Sequence, residues 1–232
     1  MSQNTDDIRI DNARPLITPW VLADQLPGGA TAKATVSSSR RSIEQILAGN
    51  DPRLVVIAGP CSVHDPVALL DFAHQFQAAC EPLADTLLPV LRVYFEKPRT
   101  IVGWKGLIND PDLDGSFHIN KGLHLARKVL LDVAELGLPA ASEFLDNTFG
   151  QYYADLVSFG AIGARTVESQ IHRELASGLS MPVGFKNGTN GHIDVAIDAI
   201  QSAAHSHWFP SLTKEGTPAI LKSRGNPHGY LI

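Results

Sequence analysis

The 232-residue chain has only two cysteines, Cys61 and Cys80. They make no disulfide framework, and such sparse thiols suit a reducing cytoplasm. No apolar run approaches the roughly 18 residues that a membrane span needs. Residues 1–11 are polar and acidic, unlike a secretory signal. A basic tail is also missing. The 19 Lys and Arg stand against 24 Asp and Glu, a formal charge of −5, which argues against non-specific nucleic-acid binding. No GxGxxG follows a strand-like run, and Gly188-Thr189-Asn190-Gly191 is not a P-loop. Dinucleotide and nucleoside triphosphate sites therefore lack support. With 44% hydrophobic and 19% charged residues, a disordered or fibrous chain is excluded.

The residues that are present read as two parts. Residues 1–50 form an N-terminal extension, for which a loosely ordered tail is the plain alternative. Within it, Thr18-Pro19 is an N-cap with Pro at the first helical position, opening a helix over 20–25. Pro27-Gly28-Gly29 stops it, residues 30–39 are small and polar, and a short helix is expected over 42–47. From residue 51 a regular alternation begins. Leu54–Ala58 is an apolar run, the pattern of a strand buried on both faces. A long helix opens at Pro66. Further strands are predicted over 87–95, 138–142, 155–162, 182–185 and 208–212. Helices are predicted over 119–136, 166–179 with Thr166 as N-cap, and 192–204. The chain then closes in a hairpin-like pair, 218–222 and 229–232. Alternating strands and helices imply right-handed βαβ units and a parallel sheet, either doubly wound or a (β/α)8 barrel.

The informative feature is the set of polar residues at the C-terminal end of each strand. In order come Cys61 and His64; Arg92, Glu96, Lys97 and Arg99; Glu143; Arg165; Lys186; and Lys214. In parallel α/β folds these strand ends converge on one face. An acidic protein thus gathers Arg92, Lys97, Arg99, Arg165 and Lys186 in one place. Like charges repel, and unpaired Lys and Arg are rarely buried. The simplest compensation is an anionic ligand with more than one phosphate or carboxylate. Lys186 after an apolar strand fits two chemistries: a Schiff-base amine of lowered pKa, or a charged anion ligand. Glu143 could simply pair with one of the cations. Cys61 reads either as a small packed residue or as one ligand of a metal, and His64 alone would not complete a site.

Three blocks then become recognisable. They are Ala58-Gly59-Pro60-Cys61-Ser62, Arg92-Val93-Tyr94-Phe95-Glu96-Lys97-Pro98-Arg99-Thr100 and Gly103-Trp104-Lys105-Gly106-Leu107-Ile108-Asn109-Asp110-Pro111. With Gly160-Ala161-Ile162-Gly163-Ala164-Arg165-Thr166 and Pro182-Val183-Gly184-Phe185-Lys186-Asn187-Gly188-Thr189, they closely resemble the microbial type I 3-deoxy-D-arabino-heptulosonate-7-phosphate (DAHP) synthases. The resemblance runs from about Ser42 to the last residue. It implies a (β/α)8 barrel with an N-terminal extension. It also implies condensation of phosphoenolpyruvate with erythrose 4-phosphate, releasing phosphate, at the start of aromatic amino-acid synthesis.

By the same resemblance, Arg92, Lys97, Arg165 and Lys186 hold phosphoenolpyruvate, with backbone from Gly163 and Ala164. Lys97, Pro98, Arg99 and Thr100 hold erythrose 4-phosphate. Lys97, Glu143 and Lys186 are the implied catalytic residues, and Glu143 positions a water or proton. Cys61 is an implied ligand of a divalent metal (Mn, Fe, Co or Zn), which would act as a Lewis acid; no organic cofactor is implied. An inhibitory aromatic amino acid, phenylalanine or tyrosine, would meet Asp6, Asp7, Ile10, Gln151, Leu175, Leu179, Ser180, Phe209 and Ser211, with the extension coming from a neighbouring subunit. Ser211 leans toward phenylalanine. A homodimer or homotetramer, a cytoplasmic location, and no nucleic-acid or membrane partner complete the expectation.

Length departs from the family. At roughly 30 residues per βα unit, Leu54 to Ile232 holds about six units rather than eight, where such barrels take about 250 residues. The expectation is an incomplete barrel over 51–232 with two open edges. A chain truncated at its C-terminus in this way would show weak or no turnover. A non-catalytic paralogue that keeps phosphate and effector contacts is the alternative.

Overall fold

In the computed structural model, which describes residues 5–232, the extension is mostly helical. Helix α1 is Pro19–Gln25, and the Thr18 hydroxyl accepts from the Val21 N–H as its N-cap. Helix α2 runs Ala30–Leu47, far longer than the six residues expected. Its buried positions, Ala32, Val36, Ser39 and Ile43, recur at three- and four-residue steps, a helical period hidden by small side chains. Tertiary contacts fix it. Arg40 donates to the carbonyls of Ala154 and Val157, and the Ser39 hydroxyl bonds that of Ser158.

Six strands form one parallel sheet. They are β1 Leu54–Ala58, β2 Leu87–Arg92, β3 Ala140–Glu143, β4 Phe159–Ile162, β5 Val183–Phe185 and β8 Gly229–Leu231, adjacent in that order. Between them lie α3 Pro66–Cys80, α4 Ile119–Glu135, α5 Gly150–Tyr153, α6 Gln170–Gly178 and α7 Asp194–Ala203. Strands β1 and β8 are the two edges, so the sheet is a barrel segment rather than a closed barrel. Capping explains two helix ends. Asp65 accepts from the N–H groups of Val67 and Ala68 ahead of α3, and Gly137, with φ +82°, ends α4.

Three expectations are corrected. The segment Trp208–Leu212 is not a strand of the parallel sheet; as β6 it pairs antiparallel with β7, Pro218–Lys222. Its residues alternate between exposed and half-buried, and it contains Pro210, which suits a two-stranded ribbon and not a central buried strand. Consequently 218–222 and 229–232 are not a hairpin. Strand β8 runs parallel to β5 and occupies the sixth position. Finally, Thr166 does not cap α6. Its hydroxyl donates to the Gly163 carbonyl inside a turn, and the helix begins after Ser169.

The two faces of the sheet differ. Leu91, Ala140, Ile162, Val183 and Phe185 join the large core under the crossover helices. Val90, Ala141 and Phe159 face the other way and pack on Ile43 of α2, with Val55, Ile57 and Leu88 beside them. Successive strand residues point to opposite faces. Two residues beyond Val90, Ala141 and Gly184 therefore stand Arg92, Glu143 and Lys186, all on the face away from the crossover helices.

Candidate active site

That parity carries three charged side chains to one end of one face, and the loops add the rest. They enclose a cavity of about 250 Å³ lined by Cys61, Arg92, Glu96, Lys97, Pro98, Arg99, Glu143, Leu145, Gly163, Ala164, Arg165, Thr166 and Lys186. All five strand-end cations named from the sequence meet here. Every substrate-site residue does so except Thr100, which is exposed outside the lining. Lys214 is not among them. It lies elsewhere, donating to the Gln151 carbonyl.

Backbone geometry lets these groups approach. Gly59 has φ +152°, and a Cβ there would lie 2.7 Å from the Arg92 carbonyl oxygen. A Cβ on Gly163 would lie 2.1 Å from Oε1 of Glu143, so the carboxyl rests against bare backbone. The Arg92 guanidinium donates to the Cys61 carbonyl at 3.1 Å and lies 3.9 Å from the Tyr94 ring centroid. Lys186 Nζ is 5.3 Å from the same ring. Among the described residues, buried Arg92 Nε has no hydrogen-bond partner.

Electrostatics sharpen the picture. Lys97 Nζ hydrogen-bonds Cys61 Sγ at 3.0 Å, and this bond, with the charge of Lys97, holds the thiol below its usual range. Burial pushes the Glu143 carboxyl up, while Lys186, Arg92 and Arg165 pull it back. Burial also pushes Glu96 up to about 8, its backbone hydrogen bonds opposing and neighbouring Asp146 and Glu143 adding to the rise. The cavity thus combines five cations with two buried carboxyls that resist ionisation. Its net character is strongly positive on a protein of charge −5. Glu96, Leu145 and Thr166 were not assigned to the site from sequence. The position of Glu96 directly before Lys97 was the available signal.

A metal would find Cys61 exposed and inclined to the thiolate form. Among the described residues, however, no group of three or more His, Cys, Asp or Glu side chains could hold a metal ion. His228 lies near Glu44, at 3.9 Å, and precedes β8 at the opposite end of the sheet. Cys61 is one soft donor, and the described residues do not complete a site around it.

A second, larger cavity of about 730 Å³ lies between α5, α6 and the β6–β7 ribbon. Gln151, Leu175, Leu179, Ser180, Phe209 and Ser211 all line it, together with Arg40, Asp155 and Lys214, which the sequence did not single out for it. Asp6, Asp7 and Ile10 are exposed and are not in its lining.

A profile described as the DAHP synthetase I family matches residues 30–229. The Phe-sensitive phospho-2-dehydro-3-deoxyheptonate aldolase of Escherichia coli is 57% identical over 232 residues, covering 100% of this chain and 66% of the relative. The Trp-sensitive enzyme of Salmonella typhimurium is 54% identical over 228 residues, covering 98% and 66%. A solved phospho-2-dehydro-3-deoxyheptonate aldolase from Francisella tularensis superposes with a TM-score of 0.93 at 52% identity, covering 96% of this chain and 65% of that one. The chain therefore spans just under two thirds of the length of these relatives.

Proposed function

The chain belongs to the DAHP synthetase I family, and from this we propose that its strand-end cavity is a DAHP synthase site, condensing phosphoenolpyruvate with erythrose 4-phosphate. The observation that carries the reading is the convergence of Arg92, Lys97, Arg165 and Lys186 around one cavity. Phosphoenolpyruvate bears a phosphate and a carboxylate, and it matches clustered cations that outnumber the carboxyls beside them in the cavity. Arg92 and Arg165 offer planar donor forks, Lys97 and Lys186 compact charges. Pro98, Arg99 and Thr100 come directly after and would receive the second phosphate, of erythrose 4-phosphate.

In the condensation, C3 of phosphoenolpyruvate bonds to the aldehyde carbon and the aldehyde oxygen gains a proton. Water supplies the oxygen left at C2, and phosphate departs. Glu143, buried and flanked by Lys186, Arg92 and Arg165, is placed to hold that water or move its proton. A divalent metal, when bound, would polarise the aldehyde carbonyl, and Cys61 is the donor this chain offers to it.

We assign the larger cavity to an inhibitory aromatic amino acid, phenylalanine in the first instance. Leu175, Leu179 and Phe209 supply an apolar wall, and Arg40, Lys214 and Asp155 supply charges of both signs for a zwitterion. The two relatives are themselves named as sensitive to phenylalanine and tryptophan. A dimer or tetramer would bring Asp6, Asp7 and Ile10 of another copy to this cavity. No helix among the described residues is long and apolar enough to cross a membrane, and a cytoplasmic location belongs to the same proposal.

The test is an assay of phosphate release by the purified chain with both substrates and Mn²⁺. Release that requires erythrose 4-phosphate, with DAHP formed in equal amount, is expected of this function. From a chain that spans just under two thirds of its relatives the release is expected to be weak, and absence of both release and saturable phosphoenolpyruvate binding would contradict the assignment.

A further inference from the structure

Glu96 is 5% exposed and sits in the wall of a cavity built for anions. Among the described residues no Lys, Arg or His nitrogen lies within ion-pair distance of it. Its Oε2 instead accepts a hydrogen bond from the Asp146 N–H at 3.3 Å. That bond tethers the start of the loop after β2 to the turn that comes after β3. The turn is held on two further sides. His172 Nε2 donates to the Leu145 carbonyl at 2.7 Å, and the Asp146 carboxylate accepts from the N–H groups of Thr148 and Phe149. Leu145 itself lines the anion cavity.

The groups that face Glu96 are mostly acidic. Glu143 approaches from β3 and Asp146 from the turn. Tyr153 of α5, fully buried and with no partner for its hydroxyl among the described residues, is the third neighbour. Lys97 is its chain neighbour, but the Lys97 ammonium is turned to Cys61. Arg92, Arg165 and Lys186 act on Glu143, and none of them forms an ion pair with Glu96 among the described residues. A charged Glu96 would stand against two carboxylates, a phenol and the incoming anion.

We propose that Glu96 is a positioning residue that works as an uncharged acid. It pins the 145–149 turn against Lys97 and leaves the cavity's positive charge undiminished. The inference rests on reading this cavity as the phosphoenolpyruvate site. Burial, which pushes the group up to about 8, supports the uncharged form at neutral pH. Anion affinity then holds below that pH and falls as pH rises through it, when a carboxylate appears in the wall. The Cys61 thiolate, favoured by Lys97, would also repel an anion, so the two groups must be told apart.

The experiment is calorimetric titration of phosphoenolpyruvate into the full chain at pH 7, 8 and 9, for the unmodified protein, Glu96→Gln and Glu96→Ala. The amide of Glu96→Gln is an uncharged near-isostere and should keep the affinity at pH 7 and hold it to pH 9. The unmodified protein should weaken severalfold over the same range. Glu96→Ala, which loses the tether, should bind about tenfold more weakly at pH 7. An alkaline loss that persists in Glu96→Gln would belong to Cys61 and overturn the inference. So would a flat profile in the unmodified protein, or equal affinities of the Ala and Gln variants at pH 7. No binding at any pH by the unmodified chain would overturn the reading of the cavity, and the inference with it.

Discussion

The Lys97 ammonium hydrogen-bonds the Cys61 sulfur across 3.0 Å, joining the loop after β2 to the turn after β1. A nearby cation favours the thiolate, and Cys61 is exposed. Cys61 should therefore react with iodoacetamide at pH 7 faster than Cys80, for which no comparable cation contact exists among the described residues. Lys97→Met should slow Cys61 severalfold and leave Cys80 unchanged. Site-resolved mass spectrometry reads both rates in one sample, and equal Cys61 rates in the two proteins would refute the pairing.

Glu96 should also mark the pH dependence of stability. Its ordinary value is 4.5 and its folded value about 8. The unfolded chain thus loses this proton first. The group's contribution is whole below about pH 4.5, is lost progressively as pH rises toward 8, and changes no further above it. Glu96→Gln removes the titration. Relative to the unmodified protein it should gain on the order of 2–4 kcal/mol between pH 5 and pH 8. Urea denaturation at the two pH values checks this, and a constant difference would contradict it.

Beneath the larger cavity, Arg127 is 2% exposed. It donates to the carbonyls of Leu26 and Tyr152 and pairs with both carboxylate oxygens of Asp155, at 2.8 and 2.9 Å. Arg127→Ala strands two carbonyls at the junction of α1, α4 and α5, while the half-exposed Asp155 carboxylate turns to water. A loss of about 3 kcal/mol is expected from the two unsatisfied acceptors, with Arg127→Lys recovering only part of it because one ammonium cannot reproduce the fork. Thermal unfolding of the two variants measures the difference, and full recovery by Lys would show that charge alone mattered.

Much of this was legible in the sequence where local chemistry and burial agree. Thr18-Pro19 is a helix start with a side-chain acceptor and a fixed φ, Pro66 opens a second helix, and both hold, with Asp65 supplying a cap the sequence reading did not name. The strand-end cations were legible because a parallel sheet sends all its C-terminal ends to one face, so a one-dimensional list of loop charges becomes a cluster. Strand β6 was misread because its apolar content matches a core strand, while its pairing with β7 depends on a partner six residues beyond its end. Strand β8, Gly229–Leu231, was legible as extended chain, but three residues carry no period to tell pairing with β5 from a hairpin with 218–222. Only residues 42–47 of helix α2 were legible, because its buried face is mostly Ala, Val and Ser and it is fixed by Arg40 reaching carbonyls more than a hundred residues away. Glu96 looked like one more loop charge, since nothing local reveals that Asp146 and Glu143 lie beside it.

The central claim is that the strand-end cations form one anion site, and titration of phosphoenolpyruvate into the chain at pH 7 tests it most directly. The claim predicts a single saturable site, weakened by about 10- to 100-fold in Arg165→Ala through loss of one charge-assisted contact. Lys128→Ala, on the exposed side of α4 where Lys128 pairs with Asp132, should bind as the unmodified protein does. Absence of saturable binding, or equal weakening by the two substitutions, would contradict it.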